Sequence, residues 1–524
     1  MANGNGEAES EVQELGLTAA KTGTIYLGGE IATSVVVLVL LIFLARVLQP
    51  TNFGLYSIAI SFAGILNIAQ TFGIGTAYRK MLPEIIKNKK ARITQILSAG
   101  YAIALPLGIV IAIVGMLISG LIAKYIYSNP ALMLALLIAA FSEFISVLFN
   151  LTQGVLVGLG KVKEATIANA VYSVMYLIGS VGLVLAGYGV VGAVSGMVIG
   201  LAAGSVVGVL YMFRTIGLGI SKPKRKDIRE VGTFSAPIVA SYMATQSALN
   251  LAVLLLGVVA ITSVVGNYGA AYKLARFVDL TITATTFILL GIFSSALSKK
   301  SIAKRIGSIY NKSIYYTALF LFPLVAYGMA SATPLIRLLF SSSYSSAPLY
   351  FAIMIAGMTV GLIGSYAGTL IISSGNTKKF MKYQLAATAI QIILLFALAP
   401  FYKAIGALVA LFVITPIVLD IMYIKALEGQ FKFKHDFAPL IRIALVSAII
   451  GVIMLGTTVA LHQREITLIA NGVIAIVLFP PLLALVNGVK RSNLDFIKRA
   501  GTRLRQFHYI TDMLANYAMR FVRE

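Results

Sequence analysis

The chain has 524 residues, of which 59% are hydrophobic and only 11% are charged, whereas ordinary soluble domains carry roughly 25% charged residues. Cysteine is absent, which excludes disulfides, thiolate metal sites and cysteine nucleophiles. The net charge of +24 could indicate nucleic-acid binding, but the composition is that of a polytopic membrane protein, in which the positions of the basic residues decide their meaning.

The N-terminal 20 residues form the first predicted segment. They carry four glutamates and no basic stretch, so they do not resemble a signal peptide. We predict a short, flexible acidic arm over residues 1–20.

Apolar runs of about 20 residues, the length that crosses the hydrocarbon core as a helix, recur along the rest of the chain. They predict an all-α polytopic membrane protein with about fourteen transmembrane helices. The predicted spans lie at about 22–48, 53–78, 94–122, 131–158, 165–187, 189–213, 231–256, 266–297, 313–340, 347–373, 380–401, 404–426, 439–461 and 467–489.

The basic residues alternate between the connections. Those after even-numbered spans, together with both termini, contain 35 of the 42 Lys and Arg residues, and the connections after odd-numbered spans contain five. Because basic residues mark the cytoplasmic side of a membrane protein, the count predicts that both termini are cytoplasmic. It also explains the net charge without a nucleic-acid partner.

The connections are too short for a catalytic domain, the longest inner one having fewer than 20 residues, so we expect no enzyme. The stretch "GVLVGLGKV" fails as a phosphate-binding loop, because Val155 replaces the first glycine and Val162 replaces the Ser or Thr. The three histidines lie far apart without metal-site spacing. We therefore expect no cofactor, and a coupling ion, H⁺ or Na⁺, is left open.

An internal repeat is visible. Gly54 in span 2 matches Gly266 in span 8 at an offset of 212 residues, and Gly160 after span 4 matches Gly375 after span 10 at an offset of 215. Two nearly equal offsets predict two six-helix lobes related by a pseudo-twofold axis along the membrane normal, which rock against each other.

The predicted segments are an N-lobe at 21–213, a basic cytoplasmic linker at 214–230, a C-lobe at 231–427, an appended helix pair at 428–489, and a basic amphipathic tail on the inner leaflet at 490–524.

Predicted span 8 carries charged residues near its middle, where an ionised group in a membrane costs the most free energy. Lys273, Arg276 and Asp279 recur every three residues and so share one broad helix face. The functional interpretation is an anion site in a cleft, because Arg offers a planar fork and Lys a mobile charge for phosphate or carboxylate. The structural alternative is an ion pair with Glu30 or another buried acid, and Arg276 can pair with Asp279 at i,i+3.

Further polar residues within the predicted spans are candidates for lining the cavity or binding a coupling ion: Glu30, Asn67, Gln70, Glu143, Gln246 and Asn250. Glu30 is the candidate for a coupling proton or cation, and equally a candidate partner of Lys273 or Arg276. For Glu143 and Asp420 the pattern favours helix packing over a functional role.

Four stretches resemble the MOP exporter superfamily, in its polysaccharide biosynthesis or oligosaccharide-lipid flippase branch: "ARVLQPTNFGLYSIA", "GLGKVKEATIANA", "VVGNYGAAYKLA" and "SSGNTKKF". The resemblance implies a cell-membrane flippase, a monomer, that moves a glycan to the outer leaflet by alternating access. The glycan is joined through phosphate or diphosphate to a polyprenyl or dolichyl lipid. The alternative is a cation-coupled multidrug antiporter of the same superfamily, against which Lys273 and Arg276 argue and which Glu30 keeps open.

Overall fold

The computed structural model describes residues 3–71, 73–88, 92–217, 221–298, 305–462, 464–495, 498 and 508–522. That part of the chain is helical almost throughout and contains no strand. Its helices are α1 (Asn3–Thr71), α2 (Ile74–Asn88), α3 (Ile93–Leu121), α4 (Leu132–Gly158), α5 (Val162–Leu183), α6 (Gly189–Ile216), α7 (Arg225–Val259), α8 (Thr262–Ser298), α9 (Ile306–Ala330), α10 (Ala332–Leu339), α11 (Ala347–Val360), α12 (Leu362–Ser373), α13 (Thr377–Leu408), α14 (Thr415–Phe431), α15 (Ala438–Ala460), α16 (Ile466–Leu485) and α17 (His508–Met519).

The apolar helices confirm a multi-pass membrane protein. Among the described residues, nine helices are long and apolar enough to cross a membrane, or ten if one bent pair is a single span. Three of them have 41, 55 and 55 residues, which is at least about twice the length that one membrane crossing needs. Each of the three contains a residue with positive φ where the sequence predicts an outer turn: Gln49, Gly187 and Lys403. The total of fourteen spans stays a prediction.

Three breaks differ from the predicted spans. Predicted span 2 continued to residue 78, but α1 ends at Thr71 and the separate helix α2 begins at Ile74. Predicted span 9 continued to residue 340, but α9 ends at Ala330 and the short helix α10 follows. Within predicted span 10 the chain bends by 41° between α11 and α12. Apolar residues continue across these places, so hydropathy alone does not mark the breaks.

Contacts divide the chain into two compact units, Met1–Gly269 and Ala270–Glu524. In the first unit α7 lies against α1 and α3. The boundary between the units therefore falls later in the chain than the linker 214–230, where the sequence placed the end of the first lobe. The predicted lobe limits stay predictions.

One contact in the first unit has the symmetry of the repeat. A Cβ atom on Gly54 would lie 2.0 Å from the carbonyl oxygen of Thr262, and one on Gly266 would lie 1.9 Å from the carbonyl oxygen of Pro50. Gly54 and Gly266 are the residues that the repeat matches, and Pro50 and Thr262 are separated by the same interval. The second half of α1 and the start of α8 thus meet through equivalent residues, and glycine allows this close approach.

Helix α2 is held firmly against α3 and α4. The hydroxyl of the fully buried Tyr78 donates a hydrogen bond to the carbonyl oxygen of Leu97 at 2.7 Å. A Cβ atom on Gly154 would lie 2.6 Å from the Cα atom of Gly75, and one on Gly158 would lie 2.5 Å from the carbonyl oxygen of Tyr78. This close packing fixes the position of α2 and of the side chains it turns toward α4 and α5.

In the second unit, buried polar side chains join the appended pair α15 and α16 to the end of α9. The amide of Asn471 donates hydrogen bonds to the hydroxyls of Ser331 and Thr458, both at 2.9 Å. The hydroxyl of Thr457 donates to the carbonyl oxygen of the same amide. Asn471 is fully buried, so these bonds satisfy a polar group that would be costly in hydrocarbon.

The C-terminal helix α17 lies against α16. The hydroxyl of Tyr517 donates a hydrogen bond to the carbonyl oxygen of Val477 at 3.1 Å, and Ala515 and Ala518 are buried. Part of the predicted tail is therefore a helix packed on a membrane span. Its placement on the inner leaflet stays a prediction.

Candidate functional site

The charged group of α8 lies on the side of the helix away from its buried contacts. Ala271 and Ala275 are fully buried, whereas Arg276 and Asp279 are exposed and Lys273 is half-buried. At 1.5 Å per residue, Lys273 lies about 16 Å and Asp279 about 25 Å from the start of α8. The charges are thus inside a membrane-spanning helix, near its middle.

These charges are not paired within the described part of their unit. Among the described residues, the ion pairs of Arg92 with Asp227 and Glu230 and of Lys161 with Glu164 all lie in the first unit. The pair between Arg276 and Asp279 that the sequence allowed is not formed. Since a charge in hydrocarbon costs about 2.5–3.5 kcal/mol even on the most lenient scales, this face of α8 must meet water or a polar ligand.

Glu143 and Asn67 come together in the first unit. The Asn67 amide donates to Glu143 Oε2 at 2.8 Å and to Ser146 Oγ at 2.9 Å, and Ser146 Oγ donates to the same Glu143 oxygen at 2.8 Å. Glu143 is buried. This network joins α1 to α4 and favours the packing interpretation of Glu143 over a free binding group.

Glu30 lines a separate cleft of about 170 Å³ in the first unit. The cleft lies between α1, α2, α4 and α5, and its polar lining consists of Glu30, Arg79, Asn150, Gln153, Thr166 and Asn169. A Cβ atom on Gly29 would lie 2.2 Å from Thr166 Cγ2, so α1 and α5 touch there. The packing of α2 on α4 described above brings Arg79 into the lining of the same cleft.

Arg79 was not a candidate site residue in the sequence, because it lies in a basic stretch that is typical of a cytoplasmic loop. The structure places it on α2, whose polar and apolar residues segregate to opposite faces. That amphipathic pattern is the signal that could have identified it. The pattern indicates a helix, but it does not indicate that Arg79 shares a cleft with Glu30.

The remaining candidates are dispersed. The side chains of Gln70 and Gln246 lie outside the described residues. The amide of Asn250 would be 2.7–2.8 Å from a Cβ atom on Gly64, so it packs against α1. Asp420 is buried beside Gly364, where a Cβ atom would lie 2.1 Å from Asp420 Oδ1. Within the first unit, the described candidates thus lie in separate places: Glu30 in its cleft, Asn67 with Glu143, and Asn250 against Gly64.

A family profile described as "Polysaccharide biosynthesis protein" matches residues 43–349, more than half of the chain. The chain belongs to this family. A search of curated proteins finds no match.

Solved structures show that this polysaccharide biosynthesis family member has the fold of MOP transporters. An inward-facing multidrug resistance MATE family transporter of the MOP superfamily matches with TM-score 0.62 and 18% identity over 76% of this chain and 94% of that chain. The lipid II flippase MurJ, in an inward closed conformation, matches with TM-score 0.68 and 15% identity over 88% and 98%. A MOP superfamily transporter from Pyrococcus furiosus Vc1, described as having a binding pocket of reverse polarity, matches with TM-score 0.56 and 17% identity over 80% and 96%.

Proposed function

We propose that this protein is a flippase that moves a lipid-linked saccharide from the cytoplasmic to the outer leaflet of the cell membrane by alternating access. The observation that carries the proposal is the charged face of α8, where Arg276 and Asp279 are exposed and Lys273 forms no ion pair with any described residue of its unit. Membership in the polysaccharide biosynthesis family supports the choice of a saccharide as cargo.

The chemistry of this face suits the phosphate or diphosphate that joins a glycan to a polyprenyl or dolichyl lipid. Lys273 and Arg276 outnumber Asp279, which leaves a net positive charge. The guanidinium can bind two phosphate oxygens at once, and the ammonium adds a flexible charge. The lipid tail can stay in the hydrocarbon while the charged group crosses beside α8, which avoids the cost of burying an unpaired anion.

The membrane potential supplies a driving force under this proposal. A substrate with two negative charges gains about 4–5 kcal/mol per 100 mV when it moves outward across a membrane that is negative inside. Cytoplasmic termini, the arrangement that the basic residues predict, give this direction. If collapsing the potential in vesicles left the transport rate unchanged, the potential would not be the energy source.

A flipping assay tests the proposal. Purified protein is reconstituted into vesicles with a fluorescent polyprenyl diphosphate-linked oligosaccharide, and the initial flipping rate is compared with that of the double variant Lys273→Ala, Arg276→Ala. We expect a loss of about tenfold or more, because each hydrogen bond to a charged group contributes about 1.5–3 kcal/mol. Arg464→Ala, which removes an exposed arginine from a connection predicted to lie outside, is the matched control. Unchanged flipping in the double variant would overturn the anion site.

The multidrug antiporter is the second candidate, because a multidrug resistance MATE family transporter shares the fold. An exporter of cationic drugs would be expected to present an acidic cavity, which the net positive face of α8 does not favour. Uptake of a lipophilic fluorescent cation into the same vesicles under an imposed proton or sodium gradient distinguishes the two. Gradient-driven uptake without lipid flipping would support the antiporter.

A further inference from the structure

The cleft that contains Glu30 and Arg79 has four polar side chains with no partner among the described residues. Within the part of the chain that the structure describes, the side chains of Glu30, Arg79, Asn150 and Asn169 make no hydrogen bond or ion pair. Glu30 and Arg79 line the same cleft and yet are not paired with each other. Glu30, Asn150 and Asn169 are half-buried and Arg79 is exposed. Polar groups withdrawn from water are normally satisfied, so these side chains are available to a ligand.

Other residues of the cleft make contacts within or between the helices that form its walls. Gln153 donates its amide to the carbonyl oxygen of Ala165 at 3.1 Å, which joins α4 to α5. The Thr166 hydroxyl donates to the carbonyl oxygen of Val162 at 2.9 Å, inside its own helix. The buried ring of Phe149 closes one side and packs against Tyr172 with ring centroids 5.3 Å apart. The walls are therefore built independently of any ligand.

The donors and acceptors of the cleft suit a hydroxylated, uncharged molecule. Each asparagine presents two donors and an acceptor, the carboxylate of Glu30 accepts only, and the guanidinium of Arg79 donates only. Sugar hydroxyls both donate and accept, so they can satisfy all of these groups. The opposite charges of Glu30 and Arg79 leave the cleft with no net charge, which disfavours a phosphate, and its volume of about 170 Å³ equals that of roughly five or six waters, the size of one pyranose ring.

We infer that this cleft is a saccharide subsite, which binds one sugar residue of the transported molecule through Glu30, Arg79, Asn150 and Asn169. The inference rests on the proposed flippase function. Asn150 lies near the end of α4 and Asn169 near the start of α5, which the predicted topology places toward the cytoplasm. The cleft thus meets the sugar on the side where the glycan begins its passage, and α8 provides the separate site for phosphate.

The test uses the absence of native cysteine. Thr166→Cys puts a single thiol in the wall of the cleft, and its rate of modification by a small methanethiosulfonate reagent is measured in the full-length protein. The probes are glucose, galactose, mannose, rhamnose and N-acetylglucosamine, with inorganic phosphate as the anion control. At a concentration ten times its Kd, a bound sugar should slow labelling about tenfold, because only the unoccupied fraction reacts.

Variants connect the protection to the proposed contacts. Arg79→Gln or Asn150→Leu, added to Thr166→Cys, should weaken sugar binding about tenfold, since each removes hydrogen bonds to the ligand. Lys163→Gln removes an exposed charge one turn from the cleft and should leave the protection intact. Saturation-transfer NMR with the same sugars on the unsubstituted protein provides a second measurement if the cysteine variant does not fold.

The outcomes separate this inference from the flippase proposal. If no sugar slows labelling or receives saturation, or if protection is unchanged in Arg79→Gln and Asn150→Leu, the saccharide subsite is overturned. Flipping that depends on Lys273 and Arg276 would still stand in that case. If a sugar protects but no lipid-linked saccharide is flipped, the subsite survives and the proposed transport function fails. Protection by phosphate and by no sugar would make the cleft an anion site and also overturn the inference.

Discussion

The contact between the two repeat-matched glycines leads to a prediction about helix packing. Replacing Gly54 with alanine adds a Cβ atom 2.0 Å from the Thr262 carbonyl oxygen. Carbon and carbonyl oxygen atoms approach to about 3.3 Å, so α1 and α8 must separate locally by about 1.3 Å. Overpacking of this kind costs about 1–3 kcal/mol, and we expect Gly54→Ala to lower the melting temperature of the purified protein.

Gly266→Ala should have the same effect, because its Cβ atom would lie 1.9 Å from the carbonyl oxygen of Pro50. The separation forced by either alanine also makes room for the other. We therefore expect the double variant to cost little more than one single variant, instead of the sum that holds for independent sites. Gly182→Ala is the control, since a Cβ atom there meets nothing within 4 Å and alanine is the better helix former.

Thermal denaturation in detergent, followed by circular dichroism, measures the loss of stability. An engineered disulfide reports the distance between α1 and α8. A Cβ atom on Gly269 would lie 3.3 Å from the Cβ atom of Ser57, and the two Cβ atoms of a disulfide lie 3.5–4.5 Å apart. Oxidation of Ser57→Cys with Gly269→Cys should proceed readily and should slow when Gly54→Ala is added. Additive losses of stability from the two alanines, or no loss from either, would refute the close contact.

Two further predictions concern the second unit. The imidazole of His435 sits among aromatic rings, including Tyr310 at 5.2 Å between centroids, and burial lowers its pKa below the usual value. The unfolded chain therefore binds a proton at His435 more readily than the folded chain. The contribution of the neutral imidazole to stability is complete above about pH 6.5 and is lost as the pH falls below it. His435→Phe should therefore reduce the fall in melting temperature between pH 7 and pH 5, and the control His462→Gln should not. Gly364→Ala places a Cβ atom 2.1 Å from Asp420 Oδ1 and should destabilise the folded protein by about 1–3 kcal/mol. Adding Asp420→Ala should recover part of this loss of stability. A loss that Asp420→Ala does not reduce would contradict the contact.

Several features were predictable because they depend on local composition. Apolar runs decide which segments enter a membrane, and the positions of turns follow where such a run exceeds the bilayer thickness. Positive-φ breaks at Gln49, Gly187 and Lys403 occur at turns that the sequence predicts. The repeat stays a prediction, and Gly54 and Gly266, the residues that it matches, lie at a close contact between α1 and α8.

The candidate site was predictable only in part. The periodicity of Lys273, Arg276 and Asp279 places them on one face of α8, and their role as a binding site stays a prediction. It also allowed a pair between Arg276 and Asp279, which the structure does not form. Spacing says which side chains can reach each other along a helix, and it does not say which rotamers they adopt.

By itself, the sequence determined that this is a multi-pass helical membrane protein with a family-typical order of motifs, because hydropathy and charge are sums over neighbouring residues. Only the tertiary structure decided that Glu30 and Arg79, 49 positions apart in the chain, line one cleft without pairing. It likewise decided that α9 ends at Ala330 and that Glu143 is held by Asn67. Such contacts depend on how each helix is rotated and how closely its glycines let it approach a neighbour, and neither property is carried by a single segment.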